Sequence, residues 1–276
     1  MKRANWFLRG WLLAGFAFLY LPIASLVIFS FNESKLVTVW AGFSTKWYGT
    51  LFHNRQILDA AWLSLKIGAI SASLAVVLGT LAALCLSRFG PFRGRALFIG
   101  LVTAPLVMPE VITGLALLLM FVALEQAIGW PAGRGTLTIV IAHATFSMAY
   151  VAVVVQSRLV GMDPSIEEAA MDLGARPAKV FLVITLPIIT PALMSGWLLA
   201  FTLSLDDLVA SSFVSGPGSS TLPMVIYSKV RLGLSPEINA LATLLVAVVA
   251  LGMLAAGLFL ARQERLRVRD AQMASW

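Results

Sequence analysis

Three carboxylates stand where an apolar chain has few reasons to place them. Glu110 sits in TAPLVMPEVITG behind Pro105 and Pro109, and Asp206 and Asp207 close the stretch FTLSLDD. An ionisable side chain at bilayer depth costs about 2.5 to 3.5 kcal/mol on insertion scales, so each is a candidate for function. Two prolines in one apolar segment remove helical hydrogen bonds and free carbonyls to face a cavity. A carboxylate beside such carbonyls suits a cation; the alternative is a protonated glutamic acid hydrogen-bonded to a neighbouring helix. Adjacent helical residues point about 100° apart, so at most one of Asp206 and Asp207 faces a central path directly. The other then caps or pairs, unless both lie at a solvated helix end. Trp197 and Tyr150 lie within apolar segments as well, and aromatic faces hold ammonium groups, although for Trp197 packing is the stronger explanation. Together these side chains describe an acidic path that favours cations and repels anions. His143 reads first as a hydrogen bonder between helices.

The elements that must position these residues are membrane spans. Hydrophobic residues make up 59% of the 276 and charged ones 12%, and the mean hydropathy is +0.91, outside the range of soluble domains. Windows of about 20 apolar residues predict six spans, at 11–31, 67–87, 96–124 with Glu110 at its midpoint, 135–157, 180–205 and 238–261. Residues 208–228 have the length for a seventh but contain Gly216, Pro217, Gly218 and Pro223 among serines, which reads as a loop or re-entrant segment. Lys2, Arg3, Arg9, Arg88, Arg93, Arg95, Arg158, Arg176, Lys179, Arg262, Arg265, Arg267 and Arg269 flank one set of span ends. Against them stand Lys35, Lys46, Arg55, Arg134, Lys229 and Arg231. The excess marks the cytoplasmic side, so both termini are expected there. The expected fold is all-α, a polytopic membrane protein of six transmembrane helices forming one domain over 1–276. A net charge of +7 carried at span flanks points to anionic lipid headgroups rather than nucleic acid. Cys85, the single cysteine, lies inside a span, which leaves no disulfide framework and no metal cluster. The first apolar segment is too long for a signal peptide and lacks a small-residue cleavage site, so it reads as a retained anchor.

Between the fourth and fifth spans the chain changes character, in EEAAMDLGARPAKVFLVITLP at 167–187. Asp163 can cap a helix that Pro164 opens, Glu167 and Glu168 suit its positive end, and Gly174 can stop it. Ile166, Ala169, Ala170 and Leu173 fall on one small apolar face. Helices that lie on membranes are usually basic on the polar face. This one is acidic, with Glu167, Glu168 and Asp172, which fits insertion into a groove on another protein. The chain offers no nucleotide site: GPGSST at 216–221 lacks the lysine and spacing of a phosphate-binding loop. Energy must arrive from a partner.

Glu168, Ala169, Ala170, Gly174, Ile184, Leu186 and Pro187 reproduce the pattern E-A-A-x3-G-x9-I-x-L-P. In this the chain resembles the membrane subunits of bacterial ABC importers. The resemblance implies a type I importer permease fold in the bacterial inner membrane, with a cytoplasmic coupling loop at about 158–187. There Glu167, Glu168, Ala169, Ala170, Asp172 and Gly174 would meet a cleft on a separate ATPase subunit. ATP and magnesium would belong to that subunit, leaving this chain without cofactor, metal or catalytic residue. Segments 31–52, 103–115, 165–175, 201–224 and 236–244 are similar to the second permease subunit of bacterial polyamine importers, those for putrescine most of all. That similarity implies a second permease subunit, a dimeric ATPase, a periplasmic solute-binding protein, and putrescine or spermidine as cargo. Another small solute fits the same class, since the loop reports coupling and not cargo. An ion-coupled secondary transporter would show inverted repeats and broken helices in both halves, and no internal repeat is evident.

Overall fold

The computed structural model describes residues 2–36, 39–233, 235–252 and 254, with the backbone alone for 2–5. Residues 253 and 255–261 of the expected sixth span lie outside the described residues, as do Arg262, Arg265, Arg267 and Arg269. Among the described residues the protein is helical, with one isolated antiparallel bridge between Asn32 and Phe43. Among the described residues five helices are long and apolar enough to cross a membrane, and two apolar helices are shorter. The chain divides into two compact units, 1–55 with 228–276, and 56–227.

In the first unit, α1 (Lys2–Ser30) exposes its apolar length, as a helix facing lipid or another subunit does. A folded turn follows, organised by the buried Asn32. Its Nδ2 donates to the Val39 carbonyl at 2.7 Å, its Oδ1 accepts from Ala41 N–H at 2.9 Å, and its own carbonyl accepts from Trp47 Nε1 at 2.7 Å. Trp47 lies on α2 (Lys46–His53), whose Tyr48 hydroxyl meets Ser30 Oγ at 2.7 Å.

The second unit begins with α3 (Arg55–Arg88). The expected third span is two helices, α4 (Arg95–Val107) and α5 (Glu110–Ile128), separated by Met108 and Pro109, both extended with ψ 135°. The residue before a proline avoids helical angles, and proline lacks the N–H that would continue the ladder. Next come α6 (Thr136–Val160), α7 (Ser165–Asp172) and α8 (Pro177–Val180). A π-helical turn at Phe181–Thr185 leads into α9 (Leu186–Asp206). Its wide register accommodates Pro187, which can neither donate an N–H to the ladder nor pack its ring against the carbonyl four residues earlier without strain. Residues 208–228 form neither a span nor a plain loop. They hold α10 (Val209–Val214) and the start of α11 (Leu222–Leu232), with a short connection between. A last helix, α12 (Pro236–Gly252), belongs to the first unit.

The core of the second unit is made of small residues. Ala72, Ala75 and Ala83 of α3 meet Val151, Val155 and Leu159 of α6 and Ile189 and Ala200 of α9. Apolar lipid gives helices no hydrophobic reason to associate, so close backbone approach and dispersion must hold them. Gly79 shows how close: a Cβ there would stand 2.8 Å from the Met148 carbonyl oxygen. A second cluster joins Ile67, Leu117, Phe121, Ile139, Val140 and Val214, drawing α5 and α10 onto α3 and α6.

Candidate functional site

The break between α4 and α5 opens a cavity of ≈ 220 Å³, walled by Pro105, Met108, Glu110, Thr113, Phe146, Tyr150, Leu203, Asp206, Asp207 and Leu208 to Ala210. Four of the five residues expected along a cation path therefore come together: Glu110, Tyr150, Asp206 and Asp207. Glu110 is the first residue of α5, so the break places its carboxyl group at the mouth of that helix. Phe146 lies one turn before Tyr150 on α6 and adds a second aromatic wall. Trp197 is absent from the cavity. It stacks on Phe201 with centroids 5.1 Å apart, and its Nε1 donates to Ser73 Oγ at 3.1 Å, so it packs α9 against α3.

The two aspartates have separate fates. Asp206 is exposed at the end of α9 and lines the cavity. Asp207 is buried, and both its oxygens are engaged: Oδ1 accepts from Ala210 N–H at 3.1 Å and Oδ2 from Ser211 N–H at 2.7 Å. It thereby caps α10. His143, fully buried on α6, lies with Nε2 3.1 Å from Asp207 Oδ2 and Nδ1 2.6 Å from Ser204 Oγ. A carboxylate can only accept, so Nε2 donates to Asp207, while Nδ1 and the Ser204 hydroxyl share the second bond. Ser71 donates to Ser204 at 3.3 Å, which completes a line from α3 through α9 and α6 to α10. His143 is thus the hydrogen bonder between helices that the sequence suggests. Ser204 and Ser211 were not singled out in the sequence, although Ser204, Asp207 and Ser211 fall at i, i+3 and i+7, a polar stripe in an apolar stretch.

The charged loop folds as its residues require. Asp163 Oδ1 accepts from Ser165 N–H at 3.0 Å, and that bond holds the Asp163 carboxyl below its ordinary value, so the cap is charged at neutral pH. At the other end Gly174 adopts φ +85°, with Gly174 N–H donating to Met171 and Ala175 N–H to Ala170. This is a Schellman closure, which needs a left-handed residue. Glu168, Ala169 and Asp172 are exposed, and Leu173 is 90% exposed. Glu167 differs from the outward acidic rim expected of it. It turns inward to Arg88 Nε at 2.8 Å and to the Thr185 hydroxyl at 2.6 Å.

Residues 75–268 match the family described as binding-protein-dependent transport system inner membrane component. The chain is 63% identical over 263 residues to the putrescine transport system permease protein PotI of Escherichia coli (strain K12), covering 95% of this chain and 94% of that one. It is 41% identical over 256 residues to the spermidine/putrescine transport system permease protein PotC of the same strain, covering 92% and 94%. A crystal structure of a bacterial ABC transporter that imports the acidic polysaccharide alginate shares the fold, with TM-score 0.69 at 16% identity over 93% of this chain and 96% of that one. The MetNI methionine ABC transporter does so with TM-score 0.53 over 75% and 94%. On a match running through most of its length, the chain belongs to the inner membrane components of binding-protein-dependent transport systems, as a multi-pass permease subunit of an ABC importer.

Proposed function

We propose that this permease subunit passes a small aliphatic polyamine, putrescine first and spermidine second, along the cavity at the α4–α5 break. The observation that carries the proposal is the convergence there of Glu110 and Asp206 with the rings of Tyr150 and Phe146. Two carboxylates replace water around ammonium groups, and aromatic faces accept both the cation and the methylene chain. Extensive identity with a putrescine permease supports the same cargo. A second permease subunit completes the pathway, a periplasmic solute-binding protein delivers the polyamine, and both termini face the cytoplasm. ATP and magnesium are bound and used by a dimeric ATPase. Its cleft receives α7 through Glu168, Ala169, Ala170, Asp172 and Gly174, whose exposed small and acidic surface suits a protein groove.

Uptake of labelled putrescine by the reconstituted complex tests the reading. Glu110→Gln is expected to raise KM for putrescine roughly ten-fold, equivalent to about 1.4 kcal/mol, with assembly intact. Unchanged uptake across concentrations in both Glu110→Gln and Asp206→Asn would remove the cavity from the path.

A further inference from the structure

The coupling helix is poorly anchored by packing. None of the residues of α7 is buried, and a helix of eight residues has little stability of its own. Ile166, Met171 and Leu173 are all exposed. What turns inward is a charge. Glu167 Oε2 lies 2.8 Å from Arg88 Nε at the last residue of α3, and Oε1 accepts the Thr185 hydroxyl at 2.6 Å. Arg88 extends the line, with Nη2 donating to the Leu159 carbonyl at 3.4 Å, one residue before α6 ends. Thr185 is 1% exposed and closes the π-helical turn that leads into α9. One carboxylate therefore ties α7 to the ends of α3, α6 and α9, the three helices that share the core.

We propose that Glu167 is the positioning residue that carries movement of α7 into these helices, and is not itself a contact for the ATPase. The inference rests on the reading of α7 as the docking helix. Coupling needs a contiguous set of stiff elements, and α9 runs from the Thr185 contact to Asp206, about 30 Å away along the helix axis. On α6, Phe146 and Tyr150 reach the same cavity. The ion pair is largely shielded, with side-chain exposures of 24% for Arg88 and 14% for Glu167. Partial shielding makes the pair worth more than a fully exposed one, so separating it costs more.

The test uses the whole complex reconstituted in liposomes, measuring ATPase association, ATP hydrolysis and putrescine uptake together. Glu167→Ala is expected to keep the ATPase bound while uptake per ATP hydrolysed falls at least ten-fold. Glu167→Gln, which keeps an acceptor for Thr185 and Arg88, is expected to recover part of that loss. Thr185→Val, a change of one buried hydroxyl, gives a smaller loss of the same kind and decides the matter if Glu167→Ala does not assemble. Unchanged uptake per ATP, or loss of ATPase binding with a normal ratio in whatever complex remains, overturns the proposal. A wild-type complex whose ATPase is stimulated normally but moves no putrescine refutes the cargo instead, and the ratio of stimulated to basal hydrolysis then reads the strut.

Discussion

Asp206 ends α9 in helical geometry, while Asp207, one residue on, has left it at φ −66°, ψ 121°. That single turn of backbone sends one carboxylate to the cavity and the other to His143. The consequences of replacing them therefore differ in kind. Asp206→Asn is expected to lower putrescine uptake several-fold with an unchanged melting temperature of the purified complex. Asp207→Ala leaves His143, Ser211 and an α10 amide without their acceptor inside the protein. Such losses cost about 1–3 kcal/mol each when buried, so the melting temperature in detergent is expected to fall before transport is considered. The sequence made Glu110, Asp206, Asp207 and Tyr150 legible because each is an expensive or amphipathic group in an apolar run. It could say that at most one aspartate would be left free of a capping or pairing role, but not which. Trp197 and Glu167 were out of reach for a related reason: the side of a helix that a residue occupies is set by its neighbours in space, and Trp197 found Phe201 and Ser73 while Glu167 found Arg88.

Helix ends and breaks decide most of what the site can do. Pro105 and Pro109 were sufficient to mark a loosened ladder, yet a run of apolar residues from 96 to 124 conceals that it is two helices, since hydropathy is blind to ψ. The irregular character of 208–228 was visible through its glycines and prolines; its helix α10 was not, because six residues make too little periodicity to read. Gly174 gives the cleanest prediction at this scale. A Cβ added there meets nothing within 4 Å, so Gly174→Val acts through the backbone alone, costing on the order of 1–2 kcal/mol for a left-handed branched residue. Its expected effect is a lower uptake per ATP with little change in the stability of the spans, measured by hydrolysis and uptake in the same vesicles. Gly79→Leu is the contrasting case. The added side chain meets the backbone of α6, and the expected result is a permease that fails to assemble, seen as loss of the complex on gel filtration.

Across the whole molecule the design is of a conduit that holds no engine. Purified alone and placed in vesicles under a proton gradient, the chain is expected to move no putrescine; accumulation there would make it a secondary transporter. Its membrane class was plain in composition and its family in one spaced pattern, whereas the cavity needed three dimensions, because its walls come from α4, α5, α6, α9 and α10. The outward display of Ile166 and Met171 on α7, with Leu173 just past its end, has an effect beyond transport. On the reading of α7 as the docking helix, a newly made subunit that has not yet met the ATPase carries an uncovered greasy knob, the sort of flag by which quality-control proteases choose victims. The amount of this protein a cell keeps should then follow the supply of the partner that covers it, and surplus copies should be short-lived.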